Sequence, residues 1–286
     1  MTTSVKPRRL LPVVGVVAAL ALVLAGVQLA TSPAPIEGAF HFRALIEDAQ
    51  EASDRIREAA YHELHRDPYL PPSDLLRRYD PDPYSGPVDF NRDRELLEKI
   101  KSGRLRTNAR DRVRLEALYD GEIRWTDETV GKIRHDLQAA GLLENTILVI
   151  TADHGTELFD HGGVLHGHTL YDELLRVPLI VRWPGVVAPG TTNDALVNSM
   201  DLAPTIVEMA GCAPFGTHAR SMVPLLRGEP AGEAFEGDFA EFHGQRFFYT
   251  QRVLWRDNYK YVFNGFDVDE LYDLATDPHE MQNLYS

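Results

Sequence analysis

Apolar positions fall into distinct regimes along the chain. From Leu10 to Ala30 they are nearly continuous, with Gln28 the one polar side chain. From about Phe40 to His65 they thin to a stripe of Leu45, Ile46, Ile56 and Ala60 on a strongly polar background, which predicts a helix. The stretch Asp67 to Asp89 (DPYLPPSDLLRRYDPDPYSGPVD) is dense in Pro and Asp, a composition that predicts an ordered loop or linker rather than a helix or central strand. Beyond it, Tyr119, Ile123, Thr126, Val130, Ile133 and Leu137 alternate steps of four and three, the spacing of one helix face, and Gly141 is placed to stop that helix. Thr146 to Thr151 (TILVIT) is a short β-branched and apolar run of the kind buried on both faces of a parallel sheet.

Helix, tight turn and buried strand in this order predict an α/β unit. Val177 to Val181 is a second apolar strand candidate, and Asp201 to Ala210 reads as a short helix capped by Ser199 or Asp201. From Phe235 onward, alternating segments such as Phe247 to Trp255 and Tyr259 to Asn264 predict a small antiparallel sheet, with Asp257-Asn258 as a hairpin turn. The expected organisation is a targeting segment over 1–34, a helical and Pro-rich lead-in over 35–92, an α/β core over 93–230 and an antiparallel subdomain over 231–286.

Lys6, Arg8 and Arg9 precede the Leu10–Ala30 run, giving the basic and then apolar order of an export signal. The run approaches the roughly 20 residues that span a bilayer, while Ala30-Thr31-Ser32-Pro33-Ala34 offers small residues for cleavage. A cleaved signal and a retained transmembrane anchor both fit. Membrane association through residues 10–30 is therefore expected, or secretion, and the flanking positive charge places the body of the protein outside the cytoplasm.

The 286 residues carry 29 Lys and Arg against 43 Asp and Glu, for a formal charge of −14. That balance argues against a nucleic-acid partner, which needs phosphate neutralisation. A single cysteine, Cys212, excludes an intramolecular disulfide and a cysteine-based zinc cluster.

The chemistry gathers at the end of the TILVIT strand. Asp153 and His154 follow it directly, with Gly155 permitting a sharp exit, and ligands in open α/β sheets collect at the carboxyl ends of strands. Asp153 offers hard anionic oxygen suited to Ca²⁺ or Mg²⁺. His154 offers a nitrogen ligand or a cation. The downstream segment HGGVLHGHTLYDE adds His161, His166 and His168, so five polar candidates lie within reach of one site.

Several ordered elements resemble the sulfatase family of the alkaline-phosphatase superfamily. They are Tyr119-Asp120-x-Glu122-Ile123, the strand ending in Thr151-x-Asp153-His154-Gly155, the His-rich loop, Leu170 to Glu173 and Arg176 to Ile180. Asp201 to Thr205 and Met209 to Gly211 resemble the family's next helix, and Glu270 to Leu274 with Asp277-Pro278-x-Glu280 to Asn283-Leu284 its closing segment. The resemblance covers roughly residues 67 to 286. It implies a partial alkaline-phosphatase-like mixed sheet flanked by helices, followed by a small C-terminal antiparallel sheet. It also implies hydrolysis of a sulfate ester by a divalent metal, calcium in the usual case, and a formylglycine-hydrate nucleophile made from Cys or Ser. Asp153 and His154 fall on the family's metal-ligand pair. The basic residue that contacts the sulfate or assists the leaving group falls on His166 when counted from Asp153-His154. Counted back from Thr169-Leu170-Tyr171 it falls on Gly167, with His168 its neighbour.

The departures concern the nucleophile. The family's early acidic pair and its Cys- or Ser-x-Pro-x-Arg motif have no counterpart here. Cys212, at a helix end and without the Arg, reads as a small buried residue. His65 stands one place from where the family's substrate-side loop carries a His, and remains a weaker candidate. The expectation is a truncated or degenerate sulfatase-like hydrolase with an incomplete calcium site. The alternatives are a phosphate or phosphonate ester hydrolase of the same superfamily and a non-catalytic, membrane-tethered binding protein.

Overall fold

The computed structural model describes residues 69–88, 102–212, 218–244, 250–265 and 267–285, with positions 24, 25, 96, 99 and 100. The polar helix expected over 40–65, His65, and the apolar run 10–30 apart from Leu24 and Ala25 lie outside the described residues. Among the described residues no helix is long and apolar enough to cross a membrane.

Leu24–Ala25 form β1, a two-residue strand. The Pro-rich segment, expected to be loop throughout, contains the helix α1 (Ser73–Tyr79). The prolines stand before it, with Pro72 at the N-cap, where a missing N–H costs nothing. Asp74 in its first turn and Arg77 and Arg78 in its last complement the helix dipole.

The long helix α2 (Ala109–Ala139) begins well before the predicted apolar stripe. Asn108 caps it by accepting from the Arg110 and Asp111 amides at 2.8 and 3.1 Å, and Asp111 accepts from the Asn108 amide at 2.9 Å. Its N-terminal half buries Leu115, Leu118 and Tyr119 against Tyr69 and Val88, while Ile133 and Leu137 pack on Leu143. Buried Glu122 accepts from the Leu70 amide at 2.6 Å and so ties the lead-in loop to the helix. Gly141 ends the helix in the left-handed region (φ +69°), as its position predicted.

After a 3₁₀ turn (Leu143–Asn145), β2 (Thr146–Thr151) runs to the candidate site. The hairpin strands β3 (Glu157–Leu158) and β4 (Val164–Leu165) follow, then the short helix α3 (Asp172–Leu175) and β5 (Leu179–Arg182). Both described neighbours of β2 are antiparallel: β5, with Leu148 opposite Arg182 and Thr151 opposite Leu179, and β1, with Leu24 opposite Ile147. Among the described residues the parallel pairing expected for this run is therefore not observed. A β-branched, apolar run reports burial on two faces and says nothing of strand direction. Val149 packs against Met209 and Val223, whereas Ile180 on β5 is 58% exposed.

Next come a second 3₁₀ turn (Ser199–Asp201), α4 (Leu202–Met209) and α5 (Val223–Leu226). Neither Ser199 nor Asp201 caps alone. Asn198 accepts from the Met200 amide, and Asp201 accepts from the Asn198 amide. Arg220 then clamps Asp201 (2.8 Å) and Asp238 together.

The C-terminal sheet is antiparallel, in the order β6 (Gly237–Phe242), β7 (Gln251–Arg256), β8 (Tyr259–Asn264), β9 (Glu270–Asp273). The predicted Asp257-Asn258 hairpin is present, with Asp257 at φ +55°. The inner face of this sheet, Val253, Val262 and Tyr272, closes on Leu170 at the end of the His-rich loop.

Candidate functional site

The site is built where β2 ends. Gly155 follows Asp153 and His154, and its amide donates to the Leu174 carbonyl of α3 at 2.7 Å. A Cβ at this position would lie 1.9 Å from the Glu173 carbonyl oxygen, so only glycine lets the two backbones meet. This contact turns Asp153 and His154 outward, their side chains 63% and 38% exposed.

One carboxylate oxygen of Asp153 accepts from the His154 amide at 3.0 Å, and the other lies 3.7 Å from His154 Nε2. His154 Nδ1 is 2.8 Å from the Gly155 carbonyl. A carbonyl only accepts, so Nδ1 carries the proton, and a neutral His154 presents the Nε2 lone pair on the Asp153 side. A histidine anchored through one nitrogen to a carbonyl, with the other nitrogen open, is pre-oriented as a metal ligand.

His166 reaches the same place from the far end of the loop. Its ring centroid is 4.0 Å from that of His154, with the planes tilted by 38°. The loop is bent sharply at both ends, since Phe159 and Leu165 adopt φ of +70° and +72°, which non-glycine residues rarely do. Leu165 is the residue immediately before His166.

His168 points elsewhere. Its Nε2 is 2.9 Å from Oε2 of Glu157, a side chain 1% exposed, while Glu157 Oε1 accepts from the Gly163 amide at 2.5 Å. Burial pushes the Glu157 carboxyl up. The bonds from His168 and the Gly163 amide, with the charges of His168 and His161, more than offset it and hold the group below its usual range. His168 thus clamps the β3–β4 hairpin from inside. His161 is also engaged in structure. Its Nδ1 meets Glu173 at 2.6 Å, its Nε2 meets the Glu280 carbonyl at 3.2 Å, and its ring stacks on Tyr171 at 3.6 Å. Of the five candidates, Asp153, His154 and His166 come together, and His161 and His168 brace the loop that carries His166.

Sequence reading missed these bracing partners: Glu157, Glu173 and Glu280. Glu280 carried a signal, the Asp277-Pro278-x-Glu280 pattern, but its contact lies 119 positions from His161. Cys212, expected to be buried, is exposed. It follows Gly211, whose left-handed φ of +69° carries the chain off the packed face of α4.

The donor set fits a hard divalent cation only in part. Asp153 and His154 supply one carboxylate and one imidazole, whereas calcium takes six to eight oxygen ligands. Among the described residues no group of three or more His, Cys, Asp or Glu is arranged to hold a metal ion.

A sulfatase family model matches residues 50–212, more than half of the chain. The chain belongs to the sulfatase family. A second model, the C-terminal part of N-sulphoglucosamine sulphohydrolase, matches residues 160–286. N-acetylglucosamine-6-O-sulfatase of Bacteroides thetaiotaomicron is 32% identical over 167 residues, covering 56% of this chain and 30% of that protein. The protein BT4656, solved with its substrate D-glucosamine-2-N,6-O-disulfate, superposes with a TM-score of 0.58 at 25% identity, over 68% of this chain and 41% of the other. The phosphonate monoester hydrolase SpPMH of Silicibacter pomeroyi superposes at 0.55 with 27% identity, over 76% and 44%. The architecture is accordingly a partial alkaline-phosphatase-like α/β fold with a small antiparallel sheet. The chain spans less than a third of the length of the curated N-acetylglucosamine-6-O-sulfatase that it matches, 30%.

Proposed function

We propose that this sulfatase-family chain carries the Asp153–His154–His166 part of a sulfate-ester hydrolase site, and that its substrate is a sulfated sugar. The convergence of His166 on the Asp153-His154 pair after β2 carries this reading. Asp153 and Nε2 of His154 would hold the divalent cation, calcium, as one carboxylate and one imidazole ligand. A cation held there would polarise a sulfate oxygen. His166, exposed and beside His154, donates a proton to the departing ester oxygen or compensates its negative charge. His168 is the weaker choice for that role because its Nε2 is engaged with Glu157.

No nucleophile is assigned within the chain. Cys212 lies at the exit of α4, without a following Pro-x-Arg. The chain acting alone is therefore expected to bind rather than turn over. The sulfated-sugar substrate is drawn from the activities named for the relatives, N-acetylglucosamine-6-O-sulfatase and the complex with D-glucosamine-2-N,6-O-disulfate. Export through residues 1–34, with the body extracytoplasmic, belongs to the same reading and rests on the basic and apolar N-terminal pattern.

The test is hydrolysis of a chromogenic aryl sulfate by the purified chain with and without Ca²⁺. The expected result is no turnover above buffer. Turnover abolished by Asp153→Ala would overturn the assignment of an incomplete site.

The likeness to a phosphonate monoester hydrolase supports a second reading, in which the same residues face a phosphate or phosphonate ester. Competition binding separates the two. Displacement of a sulfated glucosamine by methylphosphonate at lower concentration than by sulfate favours the second reading.

A further inference from the structure

A buried charge network of Lys260, Asp172 and Glu280 is joined to the site through α3 and through His161. Lys260 on β8 is fully buried and sits between Asp172 at 2.8 Å and Glu280 at 2.5 Å. The other carboxylate oxygen of Glu280 accepts from the Asp172 amide at 2.6 Å, at the start of α3. Two turns of contact lead from there to the site. At the far end of α3, the Leu174 carbonyl receives the Gly155 amide beside His154. On the other side, the Glu280 carbonyl holds His161, which is also fixed by Glu173 and by Tyr171 stacked on its ring. Glu280 itself takes φ +54°, a left-handed conformation that non-glycine residues hold only when the surroundings over-determine it.

Such a network is a poor device for stability alone, because burying charges loses much of the Coulomb gain to desolvation. It is a good device for fixing geometry, because each partner has one low-energy position. Here it joins three separate segments: the hairpin that ends in His166, the helix that abuts Gly155, and the C-terminal sheet.

We infer that Glu280 is a positioning residue for the Asp153–His154–His166 site, seating α3 against Gly155 through the Asp172 amide and Lys260 and seating the His-rich loop through His161. The inference takes the identity of the site from the preceding reading, but the geometry it concerns is measured without metal or substrate. Mispacking at Glu280 shifts α3 and the loop relative to one another, and the first consequence is separation of the His154 and His166 rings.

The experiment uses the full chain labelled with ¹³C at histidine Cε1, with the two signals assigned from His154→Gln and His166→Gln. In each of these variants the remaining histidine reports its shift without the neighbouring ring. In Glu280→Gln, well below its melting temperature, both signals are expected to move to the positions seen in those variants. Signals that stay where they are in the parent chain, in a protein whose melting temperature has fallen, would show that Glu280 serves stability only, and would overturn the inference. If Glu280→Gln does not fold, Lys260→Met/Glu280→Leu removes both buried charges together. The same movement supports the inference in that background and unmoved signals overturn it. Failure of calcium binding or of hydrolysis leaves this result standing, and unmoved rings leave the sulfatase reading standing.

Discussion

The His154 and His166 rings lie 4.0 Å apart, one from the exit of β2 and one from the His-rich loop, brought together by a hairpin with left-handed turns at Phe159 and Leu165. Ring contact at this distance couples the two side chains. If His166 serves the ester's leaving group, His166→Ala should weaken binding of a sulfated glucosamine by about tenfold, roughly 1.4 kcal/mol for one charge-assisted contact. His168→Ala should instead lower the melting temperature by loosening Glu157, with smaller loss of binding by the folded protein. Calorimetric titration of both variants checks the difference.

Gly155 has no tolerance for a side chain. A methyl group there would overlap the Glu173 carbonyl, 1.9 Å away, and backbone cannot swing aside as a flexible side chain can. Gly155→Ala is expected to destabilise the protein by about 3 kcal/mol, the upper end of overpacking effects, and to displace Asp153 and His154. Urea unfolding gives the first quantity.

Breaking the buried ion network from one side should cost more than removing it. Lys260→Met leaves Glu280 and Asp172 together without their cation, and about 3–5 kcal/mol of destabilisation is expected. Lys260→Met/Glu280→Leu should recover part of that loss. Denaturant midpoints of the single and double variants test the ordering.

The pH dependence has a definite sign at His161. Burial opposes its charged form, but the hydrogen bond and charge of Glu173, with the carbonyl and charge of Glu280, raise it from 6.5 to about 9. Glu157 lies close enough for His161 to affect its own titration. The native state therefore holds an extra proton between those values. The stabilisation is complete below about pH 6.5 and is lost as pH rises through about 9. Burial raises the Glu280 carboxyl against the pull of Lys260, which gives the same sign at lower pH. Melting temperature should fall from pH 6.5 to 9, and His161→Gln should flatten the decline.

Sequence and structure agree where the signal is local. The α2 stripe, the Gly141 stop, the TILVIT strand and the Asp257-Asn258 turn each follow from spacing or backbone preference over a few residues. The readings that failed depend on what the chain meets elsewhere. α1 was hidden because Pro71 and Pro72 look like helix breakers until their place before the first turn is known. The direction of the β2–β5 pair is set by the path of the His-rich loop and α3, which no strand sequence records. The Asp153-His154 pair and the His cluster were visible as chemistry, but sorting His166 from His161 and His168 required Glu157, Glu173 and Glu280. Two of those acidic partners look like ordinary surface charges in sequence, and the third is more than a hundred residues distant.

The most direct measurement is calorimetric titration of the chain with Ca²⁺, in parallel with its Asp153→Ala and His154→Ala variants. Asp153 and His154 are the two ligands assigned, so binding is expected to be weak, with Kd of about 10⁻³ M or higher, and to vanish in both variants. Binding that survives both substitutions unchanged would place the cation elsewhere and contradict the assignment of Asp153 and His154.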